Sequence, residues 1–84
     1  MTRLWPQGLP VTVVIDAEGT PVSFTWEGRT HRVMAIANHW RVDWGWWRWH
    51  TWRDTFKVVT DTGLLAELSC DRLTGQWVLQ RLYD

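Results

Sequence analysis

The chain has 84 residues, 45% of them hydrophobic, and a formal net charge of zero, which allows one small domain and argues against a second. Its single cysteine, Cys70, excludes an intrachain disulfide and fits a reducing, cytoplasmic setting. The start, Met1-Thr-Arg-Leu-Trp-Pro, has no secretory pattern, and the longest early apolar run, Val13-Val14-Ile15, is far too short for a bilayer, so no membrane association is expected.

Residues 1–10 hold Pro6, Gly8 and Pro10 and read as an irregular N-terminal arm pinned by Trp5. A single β domain is expected over 11–84. Val11, Val13 and Ile15 lie on one strand face, and Asp16 to Pro21 is turn chemistry. Val22, Phe24 and Trp26 then alternate with Ser23, Thr25 and Glu27, the pattern of a half-buried strand, so the two strands predict a hairpin. Glu27-Gly28-Arg29 is the next turn. His31 to Ala37 reads as a third strand, although Met34, Ala35 and Ile36 would also suit a short helix.

Residues 38–53 load both strand parities with aromatics. One carries Trp40, Val42, Trp44, Trp46, Arg48 and Trp52, the other Arg41, Asp43, Gly45, Trp47 and Trp49. A helix would align Trp40, Trp44 and Trp47, but Gly45 opposes a long helix and Trp suits strands. The expectation is two strands joined near Asp43–Gly45, or a strand followed by an aromatic loop. Beyond it, Phe56 and Val58 oppose Lys57 and Val59. Asp61-Thr62-Gly63 is a hairpin turn. Leu64, Ala66, Leu68 and Cys70 form the next alternating face, and Asp71 to Gly75 a five-residue turn. Trp77, Leu79, Arg81 and Tyr83 then alternate with Val78, Gln80 and Leu82.

Strands at this spacing predict an all-β fold. It is an antiparallel meander of six to seven short strands curling into a small barrel or strongly curved sheet. Trp26, Val33, Phe56, Val58, Leu68, Trp77 and Leu79 are its expected core. A domain this small buries only about 60% of the surface its unfolded chain exposes. It has nine Trp, two Phe and one Tyr to do so. A core of this size needs about four or five such residues, each burying roughly 150–250 Å², so some Trp are expected to face outward.

Charge is unevenly spread. Residues 29–57 carry six of the nine basic residues against only Asp43 and Asp54, together with all three His and six of the nine Trp. Eight of the nine basic residues are Arg, which stacks on rings and pairs bidentately where Lys does not. The plain account is surface charge with cross-strand pairing, the Arg capping core Trp through cation–π contacts. The sharper account is one basic, aromatic binding surface built from Arg41, Trp44, Trp46, Trp47, Arg48, Trp49, Trp52 and Arg53.

Several runs resemble a known family. They are Phe24-x-Trp26-x-Gly28-Arg29-x-His31-Arg32-Val33, Trp46-Trp47-Arg48, Phe56-Lys57-Val58 and Gly63-x-x-x-Glu67-Leu68. The most specific is Asp71-Arg72-x-Thr74-Gly75-x-Trp77-x-Leu79-x-Arg81-Leu82-Tyr83-Asp84. Over about residues 11–84 the chain is similar to a small, uncharacterised bacterial domain. That domain occurs alone or with the inactive Y-family-polymerase-like (ImuB-type) subunit of the translesion mutasome. The resemblance implies a context in DNA damage tolerance and no catalytic residue. The density of Trp between 44 and 52 departs from the family pattern.

Two binding chemistries use the same surface. Single-stranded DNA is held by a positive groove with aromatic rings for base stacking, each stack worth about 1–3 kcal/mol. The zero net charge weighs against strong non-specific affinity for phosphates. Protein interfaces are also enriched in Trp and Arg, so a DNA-repair protein subunit, or a second copy in a homodimer, is the alternative partner. His31, His39, His50 and Cys70 match no compact metal-ligand spacing. No nucleophile elbow, phosphate loop or metal-protease helix is present. The expected function is therefore non-catalytic, with no cofactor or metal.

Overall fold

The computed structural model describes residues 2–46 and 49–83, with the side chains of 44, 46 and 49–51 left aside. Seven strands follow in chain order: β1 Arg3–Pro10, β2 Thr12–Ile15, β3 Pro21–Trp26, β4 Arg29–Trp46, β5 Trp49–Thr60, β6 Leu65–Asp71 and β7 Trp77–Tyr83. All neighbours are antiparallel, in the order β1-β7-β6-β5-β4-β3-β2. The fold is the all-β meander, curled into a half-barrel.

The curl follows from one covalent fact. β1 and β2 lie at opposite ends of the strand order, yet only Val11 separates them in sequence. Pro10 pairs with Val78, the Val11 N–H donates to the Trp77 carbonyl at 3.3 Å, and Thr12 pairs with Thr25. One short segment thus ties both edges and limits how flat the sheet can lie. Side chains reinforce the closure. Trp5 meets Trp26 edge-on at 6.4 Å, and the Arg3 guanidinium lies 5.8 Å over the Trp26 ring.

The reading of residues 1–10 as an irregular arm is therefore corrected: residues 3–10 form β1. Pro6, Gly8 and Pro10 concealed it, but they occupy a bulged edge strand, where proline and glycine are tolerated. The β1–β7 register slips between Leu4 and Leu9. Gln80 Nε2 donates to the Trp5 carbonyl at 3.1 Å within that slip. Gly8 sits there at φ +79°, and a Cβ on it would lie 2.6 Å from Val78 Cγ2. Gly8→Ala is expected to cost roughly 2 kcal/mol, from left-handed backbone strain plus this overlap. An unchanged urea midpoint would refute this close approach of β1 to β7.

The predicted hairpins form. Glu27 and Gly28 take positive φ, 52° and 72°, the geometry that matches the twist of paired strands across a two-residue turn. Asp16 Oδ1 accepts from the Glu18 and Thr20 N–H groups at 2.8 and 3.0 Å, closing the β2–β3 turn. The segment beginning at His31 is strand, and the helical alternative does not occur. Its extent is the surprise, because β4 runs for 18 residues. Arg29–Arg32 pair with β3, and Val33–Trp46 pair with β5. Register slips at Met34 and Ala37 mark the transfer, as bulges bend and twist a strand. The junction expected near Asp43–Gly45 is also corrected. These residues are in β4, paired with Trp52, Thr51 and His50, and pairing continues to Trp46 opposite Trp49.

The core is Phe24, Phe56, Val58, Ala66, Leu68, Cys70, Trp77, Leu79 and Leu82. Five of the seven expected core residues are among them, while Trp26 and Val33 pack against the cluster from its margin.

Candidate functional site

β4 and β5 outrun their neighbours. β3 reaches only Arg32 of β4, and β6 pairs with β5 only as far as Arg53 opposite Asp71. Among the described residues, 43–46 of β4 ladder with no strand but β5. From Trp52 outward, at about 3.3 Å per residue, four residues of β5 give an overhang of about 13 Å. An isolated two-stranded ribbon is marginal in water, so the arm depends on what anchors its base.

Register sorts the base into two faces, because directly paired antiparallel residues point the same way. One face carries His39 with Phe56 and Arg41 with Asp54. It is continuous with the core. The His39 ring stacks on Phe56 at 4.1 Å and 9°, and Phe56 lies 5.8 Å from Trp77. The other face carries Trp40 and Val42, both exposed.

Asp54 holds the base together. It is completely buried. Its Oδ1 accepts from Arg41 Nε at 2.8 Å, and its Oδ2 from Arg72 Nε at 2.5 Å. His39 Nε2 lies 3.7 Å away. Burial pushes the Asp54 carboxyl up, but the hydrogen bonds and charges of Arg41 and Arg72 outweigh it, and the group ends below its ordinary value. The hydrogen bond and charge of Asp54 in turn raise Arg41. The β6–β7 turn adds one more tie, since the Arg72 N–H donates to the Trp52 carbonyl at 2.8 Å.

The residues expected to form a binding surface fare differently. Arg41 and Trp52 come together, with the guanidinium 5.9 Å from the ring centroid, and Trp52 is exposed. Arg53 is half-buried and donates to Gln80 Oε1 at 3.3 Å. Trp44, Trp46 and Trp49 have their backbones in the arm, opposite Thr51, Trp49 and Trp46 respectively, but their side chains lie outside the described residues. Trp47 and Arg48 lie outside them entirely.

Local charge at the base is balanced. Arg41, Arg53 and Arg72 are interspersed with Asp43, Asp54 and Asp71, and the ladders set Arg41 opposite Asp54 and Arg53 opposite Asp71. Asp54, Arg72 and His39 were not among the expected site residues. A signal for Asp54 was present: it shares the parity of Phe56 and Val58, and a charge on an apolar parity marks a buried, paired ion. Arg72 could not be found that way, because it lies in a turn.

Elsewhere, burial pushes the Cys70 thiol up, which disfavours the nucleophilic thiolate. Among the described residues, no three His, Cys, Asp or Glu side chains gather as a metal site. Among the same described residues, no helix is long and apolar enough to cross a membrane.

The family model described as Domain of unknown function (DUF6504) matches residues 9–84. No curated protein and no solved structure matches the chain.

Proposed function

This chain belongs to the DUF6504 family, and from that premise we propose that it is a non-catalytic binding module working through the β4–β5 arm. The observation that carries the reading is the arm itself. It is an overhanging ribbon with exposed Trp40, Val42 and Trp52 near its base and Trp44, Trp46 and Trp49 in its outer ladder. Exposed aromatics cost solubility unless a partner covers them.

The first occupant proposed is single-stranded DNA, its bases stacked on Trp rings and its phosphates near Arg53 and Arg48, in the context of translesion repair. A second reading, a DNA-repair protein subunit on the same arm, is favoured by one observation. Asp54 already engages Arg41 and Arg72, so fewer cations are free to neutralise phosphates. Aromatic protein interfaces need no such surplus.

Intrinsic Trp fluorescence during titration with a short single-stranded oligonucleotide separates them. DNA binding is expected to give saturable quenching that weakens steeply between low and moderate salt. A double variant, Trp47→Ala with Trp49→Ala, should abolish it while the far-ultraviolet spectrum stays unchanged. Absence of quenching at low salt would reject the DNA reading and leave the protein one, which a pull-down with repair-polymerase subunits tests. A folded double variant that binds DNA and those subunits as wild type does would reject the arm.

A further inference from the structure

A second feature lies at a different part of the sheet, between the β3–β4 and β5–β6 turns. Trp26, Glu27, Arg29, His31, Thr62 and Leu64 line a pocket of about 270 Å³. His31 is only 4% exposed. Its ring is held by stacking on Phe24 at 5.2 Å and by Nδ1 lying 2.7 Å from Thr62 Oγ1. The other ring nitrogen, Nε2, is buried and has no hydrogen-bond partner. An unmet buried polar group is costly, so a position that retains one invites a ligand.

The hydroxyl chain behind the ring indicates what Nε2 offers. Thr60 Oγ1 accepts from the Leu64 N–H at 3.0 Å and lies 2.8 Å from Thr62 Oγ1. Each hydroxyl has one hydrogen to give. If Thr60 donates to Thr62 and Thr62 donates to His31 Nδ1, every hydroxyl hydrogen in the chain is used. The opposite direction leaves the Thr60 hydrogen without a partner in a residue that is 4% exposed. The favoured arrangement makes Nδ1 the acceptor and puts the imidazole proton on Nε2, so a residue that lines the pocket carries a buried donor with no partner.

Charge at the pocket mouth points the same way. Glu27 faces Arg3 at 3.9 Å. Arg29 has no ion-pair partner among the described residues, which leaves the mouth with an uncommitted cation. Trp26 and Leu64 supply apolar walls. We propose that this pocket binds a small organic carboxylate, whose oxygen accepts from His31 Nε2–H, whose charge is met by Arg29, and whose apolar body lies against Trp26 and Leu64. The site shares no residue with the β4–β5 arm and stands independently of it.

Long-range proton–nitrogen NMR of the imidazoles tests the proposal on the whole chain, with benzoate as the probe and benzyl alcohol as its neutral counterpart. In the free protein, His31 should show the Nε2–H tautomer. Millimolar benzoate should shift the His31 signals saturably, and benzyl alcohol should not. Arg29→Ala, an exposed change at the pocket mouth, should weaken benzoate binding by about tenfold. His31→Asn, checked for folding by its amide spectrum, should abolish it. An Nδ1–H tautomer, no saturable shift, equal response to the alcohol, or undiminished affinity in the Arg29 variant would each overturn the proposal.

Discussion

Asp54→Asn is expected to lower stability at neutral pH by about 3 kcal/mol, read as a shift in the urea midpoint. The substitution keeps the side chain's shape and removes the charge that Arg41 and Arg72 share. Hydrogen bonds to a buried ionised group contribute about 1.5–3 kcal/mol each, and breaking one side of a buried ion pair costs about 3–5 kcal/mol. The value falls at the low end because the Arg41 and Arg72 side chains are 54% and 28% exposed and recover hydration when released. Against the roughly 5–15 kcal/mol that holds a typical domain folded, this is a large fraction.

The same variant carries a pH signature. The folded-state Asp54 carboxyl titrates below its ordinary value, so in the interval between the two values the unfolded chain binds more protons than the folded one. Stability in that interval rises with pH. The Asp54 contribution is complete above the ordinary aspartate value and is lost as pH falls through the lower, folded-state value. The stability curves of the wild type and of the Asp54→Asn variant should therefore run parallel near neutrality and converge in acid, where the protonated carboxyl resembles the amide. A gap that persists undiminished into strong acid would show that the loss is steric. Since the triad ties β4, β5 and the β6–β7 turn together, Asp54→Asn should also raise amide exchange in the arm beyond Arg53.

Leu82→Ala is expected to cost about 3 kcal/mol, within the range for emptying a fully buried leucine, whereas Arg81→Ala should cost far less. Strict alternation along 77–83 gives the opposite expectation, because it puts Arg81 on the face of Trp77 and Leu79. The β6–β7 register slips between Glu67 and Leu68, pairing Glu67 with Arg81 but Leu68 with Leu79. Gln80 is thereby left as the extra residue of a bulge, and every side chain beyond it changes face. Leu82 enters the core at 2% exposure. Arg81 and Tyr83 turn outward, where Arg81 Nη1 donates to the Tyr83 hydroxyl at 3.2 Å, and that hydroxyl bonds to Glu67. Equilibrium unfolding of both variants decides between the two registers. A larger loss from Arg81→Ala than from Leu82→Ala would mean that the bulge is absent.

Local patterning alone carried much of this protein. Period-two alternation in 22–26, 56–59 and 64–70, separated by Asp- and Gly-containing turns, was enough to define three of the strands, the meander and most of the core, because β5 and β6 pair without a slip; Val22, on the parity of Phe24, is exposed where the β2–β3 register slips. The surplus of Trp between 40 and 52 likewise marked the arm, since no core this small needs so many rings. Three things were decided only in three dimensions. β1 exists because its partner β7 lies about seventy residues away in sequence, and strand pairing can override the poor local propensity of Pro6, Gly8 and Pro10. The faces of 81–83 depend on a one-residue bulge, a register property that leaves no trace in composition. The pairing of Asp54 with Arg41 and Arg72 arises where β4, β5 and a turn converge, so one cation of a segment that is basic in sequence is committed to a buried carboxylate in space. Local propensity acts between neighbours along the chain, whereas burial, register and charge pairing act between neighbours in space, and in this sheet those are often far apart in sequence.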